Sequence, residues 1–592
     1  KNRYYLNIGY TGTGSLLKIG EGANETDNQV NIRANLDSEI NKWISVNIGA
    51  SSIVNFYHSP EYLSGNFWTY ASSVRPMDLT HLLPIDRINS ENNELVEGAT
   101  KINNQYILGG NSIYTQNIYG DLYHGGYVDG MRRNVQLNIG LNFNLDFLIE
   151  KLKYQTYFTY DNFNRYQTYQ SNQYAIYEPN FISGDSININ KIGVDNFVGS
   201  QGTRNTFFYR LYGWSNVLSY NNIFNDIHSL NATAVTKIDS YKEGGFNYND
   251  KHVNAGIRLN YMFKNKYVVE FNGSVVGSPR FGKEERWGFS PVLGLAWIAS
   301  EEESLKNSSF LNYLKFKSTY GNIKTDIDDA FSVSNYYMYQ DMYKQGGNFN
   351  YSDGTSANKL TQIFNIGNKN ISWIERNELN IGVETSMFNN SLFTEINYFN
   401  SKRINEIGQR SNFYMQFLGG NTFLPYQNFG ARTTQGFEFG LNYGFFYEKK
   451  YGNLKCNIGL NVITINPKLD KVDELDYGPG LEYRQKAGKP SDAIWGLEAI
   501  GLFKDDQDIA TSPIQKFGTI LPGDIKYRDL NGDNIIDEDD QTVLGYFHAR
   551  NNYVFSINLN YKRFDFFTYL NMQTGGSSYY KNNYYWVSGE LK

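Results

Sequence analysis

The stretch VQLNIGLNFNLDF, residues 135–147, reads as one long β-strand. Val135, Leu137, Ile139, Leu141, Phe143, Leu145 and Phe147 alternate with Gln136, Asn138, Gly140, Asn142, Asn144 and Asp146. A period of two puts each set on its own face, one apolar and one polar. The run exceeds the usual globular strand of about 5–6 residues. It is long enough to cross a bilayer at a tilt, which takes about 9–11 residues.

The same alternation recurs on both sides. Val30, Ile32, Ala34 and Leu36 interleave with Asn31, Arg33, Asn35 and Asp37, and residues 44–51 repeat the pattern. Hairpins are predicted at 253–263 with 267–275, 379–387 with 392–398, 437–445 with 454–462, and 553–561 with 564–570. Strands at 4–10, 152–160, 207–220, 230–238, 289–298 and 314–320 bring the expectation to about 17 crossings. Connections near 40, 149, 223, 264, 389, 449 and 562 are short, and one near 305 is somewhat longer. Those between them are mostly long. This is the asymmetry of a bacterial barrel, with short periplasmic turns and long outer loops. A strand-like piece at 493–503 would break the alternation if it crossed, so 466–549 is expected to be one large structured extracellular loop.

The expected fold is therefore all-β, a transmembrane antiparallel β-barrel. With Tyr 49, Phe 39 and only 19% charged residues, the composition suits aromatic girdles around a polar lumen. No apolar run of about 18 residues is present, so no transmembrane helix is expected. A soluble β-sandwich is disfavoured by strand length, loop asymmetry and aromatic content. The net charge of −6 gives no basis for a nucleic-acid partner, and the single Cys456 excludes a disulfide framework.

Catalytic patterns are absent. Gly12 and Gly14 lack the third glycine of a dinucleotide loop, since position 17 is Leu17. The six histidines are dispersed, and Glu301, Glu302 and Glu303 read as a solvated cluster at a periplasmic turn. An enzyme is not expected.

Two features point to binding. In PGDIKYRDLNGDNIIDEDDQTVLG, residues 522–545, oxygen ligands fall at positions 1, 3, 5, 9 and 12 of a calcium-type loop: Asp529, Asn531, Asp533, Asp537 and Asp540. Ile535 offers its backbone carbonyl at position 7. Asn534 stands where glycine is usual, and aspartate replaces the bidentate glutamate at position 12. The loop reads either as a structural Ca²⁺ site or as an Asx-rich surface turn without metal. Outer-loop aromatics gather at Phe67, Trp68 and Tyr70, at Tyr336, Tyr337, Tyr339 and Tyr343, and at 579–586. Such rings stack on sugars or peptide side chains, or else pack loop interiors and girdles. Arg33, Arg132, Arg133, Arg210 and Arg258 are candidate lumen residues.

Several of these stretches carry a family resemblance. Pro522-Gly523-Asp524-Ile525-Lys526-Tyr527, Asp529-Leu530-Asn531-Gly532-Asp533 and Val543-Leu544-Gly545 resemble a segment of SusC/RagA-type TonB-dependent outer-membrane transporters. GSPRFGKEERWGFSPVLGLAW (277–297), LKFKSTYG (314–321), Gly488-Lys489-Pro490 and YKRFDFFTYLNMQTGG (561–576) match in the same order. The resemblance implies a 22-stranded barrel in the full protein, with a plug domain and about two strands before Lys1 and about three strands after Lys592. The chain opens within a strand and is read as a segment of a larger protein. The resemblance further implies outer-membrane import of oligosaccharides or oligopeptides. A SusD-like surface lipoprotein would cap the loops, and TonB would act through the plug. Outer-membrane lipid and lipopolysaccharide would surround the barrel. The alternative is a SusC-like barrel serving as a structural subunit of a larger outer-membrane complex.

Overall fold

The computed structural model describes residues 1–61, 80–181, 186–245, 248–326, 336–350, 357–414, 423–449 and 452–579. Seventeen strands form one sheet in which every pair is antiparallel and sequence neighbours pair in turn. In chain order they are β1 (Asn2–Gly14), β2 (Thr26–Glu39), β3 (Ile44–Pro60), β4 (Gly126–Asn144), β5 (Leu152–Gln173), β6 (Asn196–Phe224), β7 (His228–Glu243), β8 (Asp250–Phe263) and β9 (Tyr267–Gly277). They continue as β10 (Trp287–Ile298), β11 (Leu311–Thr325), β12 (Ile374–Met387), β13 (Leu392–Gln409), β14 (Tyr426–Lys449), β15 (Gly452–Lys471), β16 (Asn551–Tyr561) and β17 (Phe564–Thr574). Among the described residues, β1 and β17 each have one hydrogen-bonded neighbour.

The tight turns follow from residues that tolerate a left-handed backbone. Asn225 and Asp226 join β6 to β7 with φ of 52° and 55°, and Lys264 and Asn265 join β8 to β9 with 51° and 56°. Two successive positive φ values match the right-handed twist of the flanking strands. All the short turns lie at one end of the sheet. The connections at the other end are mostly longer, up to 61–125, 326–373 and 472–550, and this end faces outside.

Register separates the two faces. Tyr4, Leu6, Ile8 and Tyr10 on β1, and Phe289, Leu293, Leu295 and Trp297 on β10, are all exposed. That is the reverse of a soluble sheet and is satisfied by lipid contact. Most fully buried apolar side chains lie instead in the outer connections, among them Leu83, Ile107, Phe281, Trp373, Phe503 and Ile536.

Register also corrects two candidate lumen residues. Arg133 is two positions from Val135 and pairs across to Val54, on the lipid-facing side. Arg210 shares its face with Tyr212 and Trp214 and likewise points outward. Adjacent residues of a strand cannot both face the lumen, so of Arg132 and Arg133 only Arg132 does. Arg33 and Arg258 have lumen parity. Several strands run past the predicted bounds. β6 begins at Asn196 and β14 at Tyr426, because their outer ends rise beyond the bilayer, where lipid no longer enforces alternation.

Candidate functional site: the lumen wall and the outer mouth

The inward row of β8–β14 is a hydrogen-bonded ladder of polar groups. On Glu270 converge Asn260 at 2.9 Å, Asn272 at 2.9 Å and Arg258 at 3.0 Å. Glu384 of β12 stands directly opposite Glu395 of β13. Lys317 of β11 bridges them, 2.7 Å from Glu384 and 2.5 Å from Glu395, and Lys315 adds a second cation 3.3 Å from Glu384. Asn397 then donates to Glu395 and reaches Glu438 on β14. Two carboxylates opposite each other would repel; the lysines cancel that charge. The wall is polar, with Arg258, Lys315 and Lys317 set against Glu270, Glu384, Glu395 and Glu438.

The outer mouth carries three built units. In the first, the connection 61–125 supplies a small sheet (Leu82–Pro84, Tyr106–Leu108, Lys101–Ile102), and 174–195 supplies a hairpin (Ile176–Phe181 with Ile187–Ile192). Leu83, Ile107, Tyr177, Ile187 and Ile189 form their shared core. Asn117 is wholly buried at its centre. Its Nδ2 donates to the carbonyls of His81 at 2.6 Å and Gly109 at 2.7 Å, and its Oδ1 accepts from Tyr119 and Gly120, capping the helix Ile118–His124. Asp121 in that helix accepts from Tyr174 and Gln116; burial pushes its carboxyl up to about 6 despite both bonds. This unit is tied to the barrel by a bidentate pair of Arg204 with Glu61, both bonds 2.6 Å, while His58 of β3, held between Glu21 and Asp129, ties the neighbouring connection 15–25 to β3 and β4.

In the second unit, Phe281, Met338, Ile371, Trp373, Ile374 and Ile407 pack together beneath a polar knot. His252 approaches Asp326 at 2.9 Å, Ser278 donates to the same carboxylate at 2.6 Å, and Arg280 pairs with Asp250 at 2.6 Å. Burial would raise the Asp326 carboxyl, but hydrogen bonds from His252 and Ser278 and the charge of Arg280 hold it below the ordinary range. Tyr336 joins this knot. It is 3% exposed, stacks on Tyr248 at 3.9 Å and donates to Asp250 at 2.7 Å. Burial and that bond push its hydroxyl up. Tyr337 and Tyr339 follow edge-on, each half-buried, whereas Tyr343 is 63% exposed on the hairpin Met342–Asn350 with Ala357–Asn365. Phe67, Trp68 and Tyr70 lie outside the described residues.

The third unit fills 472–550. Its short strands Ala493–Leu497 and Ala499–Leu502 pair with Gln541–Tyr546 and Ile525–Tyr527, within the connection and not with the barrel sheet. The aspartate-rich loop sits here. Gly532 and Asn534 have φ of 77° and 65°, the left-handed turn that this loop requires. Asp529 accepts from the amides of Gly532 and Asn534, and Asp533 from that of Ile535. Asp540, fully buried, accepts from Leu530 and Asp537, closing the loop on itself. Among the described residues no three His, Cys, Asp or Glu side chains converge as a metal cluster. The loop oxygens are taken up by backbone amides, and Asp537 by Lys516 at 2.9 Å. Asn531 donates to Asp533 at 3.0 Å.

The polar knot and Asn117 were not among the sequence candidates. Asn117 sits before a helical turn with an acid at Asp121, a cap signal that could have flagged it. The knot joins residues far apart in sequence and leaves no local pattern.

No model of a protein family matches the chain. TonB-dependent receptor P26 of Formosa agariphila is 30% identical over 349 residues, covering 56% of this chain and 33% of that protein. TonB-dependent receptor SusC of Bacteroides thetaiotaomicron is 27% identical over 335 residues, covering 55% and 31%. A structure of the RagAB peptide transporter superposes with a TM-score of 0.68 at 15% identity, over 97% of this chain and 60% of that one. The chain is thus similar to SusC/RagA-type TonB-dependent receptors, and it shares the fold of the RagAB barrel. The matched part spans about a third of the curated relatives' own length. Like the outer-membrane receptors it resembles, the barrel turns its exposed apolar face toward lipid, with its three packed units on the side of the long connections.

Proposed function

We propose that this barrel forms the wall of a TonB-dependent outer-membrane importer for oligosaccharides or oligopeptides, working with a SusD-like surface lipoprotein over its outer loops. The observation that carries the reading is the ion-paired polar ladder from Arg258 to Glu438 inside a lipid-facing barrel, 97% of which follows the RagAB transporter. A polar, hydrated wall offers exchangeable hydrogen bonds to a polar chain without a deep charge trap. The packed outer units offer a lipoprotein lid a rigid rim, and Tyr343 offers it an exposed ring. The 472–550 unit is the part we assign to calcium. With the ion bound, Asp529, Asn531, Asp533, Asp537, Asp540 and the Ile535 carbonyl would hold it, and it would rigidify the loop by neutralising the clustered carboxylates. Closing on it requires Asp537 to release Lys516. Gentle purification of the full-length protein from native outer membrane tests the importer reading. One stoichiometric lipoprotein supports it; several stoichiometric membrane proteins in a large assembly overturn it in favour of a scaffold.

A further inference from the structure

The lipid-facing side of β5–β8 is almost free of charge. On the outward parity of these four strands, the only Asp, Glu, Lys or Arg residues from Tyr154 to Tyr166, Phe208 to Phe224, Leu230 to Lys242 and Lys251 to Phe263 are Arg210, Lys242 and Lys251. All three are basic and exposed. They stand together: Arg210 is directly opposite Lys242, and Lys251 faces Ser240, one outward position from Lys242.

Their height is fixed by their neighbours. Below Arg210 on the same face come Tyr212 and Trp214, then Leu218, all exposed; below Lys251 come Val253 and Ile257. Tyrosine and tryptophan mark the membrane interface. One outward step along a strand is about 7 Å, from ~3.3 Å per residue. The three cations therefore stand at the headgroup level of the outer leaflet, just above the girdle.

The pairing is unfavourable by itself. Opposite side chains have Cβ atoms ~4.5–5.5 Å apart, and like charges there repel. By contrast Lys324, also outward, has Glu375 across the ladder at 3.5 Å. Among the described residues Arg210, Lys242 and Lys251 have none, and the neighbouring acids Asp239, Glu243 and Asp250 have the opposite, inward parity. Three donors of one sign, converging at headgroup height with no protein counter-charge, form a receptor for an external anion. We propose that Arg210, Lys242 and Lys251 bind the phosphate headgroup of an outer-leaflet glycolipid, anchoring one lipid to the β6–β8 face. Arginine supplies a planar fork for phosphate oxygens and the lysines supply mobile point charges.

The test uses the full-length protein in mixed micelles with lipid A or its dephosphorylated counterpart, with retained lipid counted by native mass spectrometry. The wild type should retain the phosphorylated lipid preferentially, and R210Q/K242Q should retain on the order of ten-fold less, as expected for a loss of about 1.4 kcal/mol. Lys402→Gln, which removes an isolated outward cation on β13, should retain as much as the wild type. Equal retention by R210Q/K242Q, or equal retention of both lipids, overturns the proposal. So does displacement of the lipid by excess inorganic phosphate, which would assign the cluster to a soluble anion. Lipid-free Lys242→Gln should melt no lower than the wild type, since it relieves repulsion; a lower melting temperature would also count against the site.

Discussion

Replacing Asn117 by alanine should loosen the first outer unit while leaving the barrel intact. The side chain makes four hydrogen bonds inside a site with no solvent access. The His81 carbonyl keeps a partner, because the Gly109 amide also donates to it. The Gly109 carbonyl and the amides of Tyr119 and Gly120 lose the side-chain partner that Asn117 provides. Losing a helix cap costs about 1 kcal/mol, and stranding a buried carbonyl costs about 1–3 kcal/mol. The sum, about 2–4 kcal/mol, corresponds to roughly a thirty- to thousand-fold faster opening. Hydrogen exchange of the full-length protein in nanodiscs should show this acceleration at 80–125 and 174–195, with β9–β13 unchanged. Asn117→Ser, which keeps the cap acceptor but not the two donors, should recover about 1 kcal/mol. An acceleration below ten-fold, or one equal in the barrel strands, would refute the reasoning.

Further outcomes follow from the same geometry. Asp121 has its carboxyl raised from 3.8 to about 6, so the folded unit binds more protons than the unfolded chain between those values. Its stability should fall as pH rises from about 4 to above 6, by at most about 3 kcal/mol; Asp121→Asn should flatten that profile in exchange measurements, and a profile identical to the wild type would exclude Asp121 as the cause. Lys317→Met leaves Glu384 and Glu395 facing each other in a wet lumen. It should cost about 1–2 kcal/mol, less than a fully buried pair, read as a lower unfolding temperature of the barrel that Glu384→Gln in the same chain partly restores. Asp540→Ala strands the amides of Leu530 and Asp537 and should expose 522–545 to protease. Calcium should protect the wild-type loop, and protease sensitivity unchanged by chelation would end the calcium assignment.

The barrel was legible because lipid on one side and water on the other impose a period of two on every crossing strand. The sequence 135–147 therefore announces β4, and the count of about 17 crossings matches the sheet. Legibility fades where that constraint stops. The outer ends of β6 and β14 leave the bilayer and lose the pattern. Arg133 and Arg210 were read by residue type as lumen cations, although parity with Val135 and Tyr212 places them against lipid. Tyr336 and Tyr343 look alike in sequence. Only the fold shows that Tyr248 and Asp250, more than eighty residues earlier, bury the first, while the second stays in solvent. The outer units depend on contacts between distant connections, such as Leu83 with Ile187 in one core, and no short pattern encodes them.

The most direct measurement is uptake of labelled oligosaccharides and oligopeptides by cells carrying the full-length protein, with and without TonB. An importer predicts accumulation of one of these classes that is lost when either the protein or TonB is absent. Entry that persists without TonB would mark a passive pore, and uptake unaffected by deleting the protein would contradict a role in import altogether.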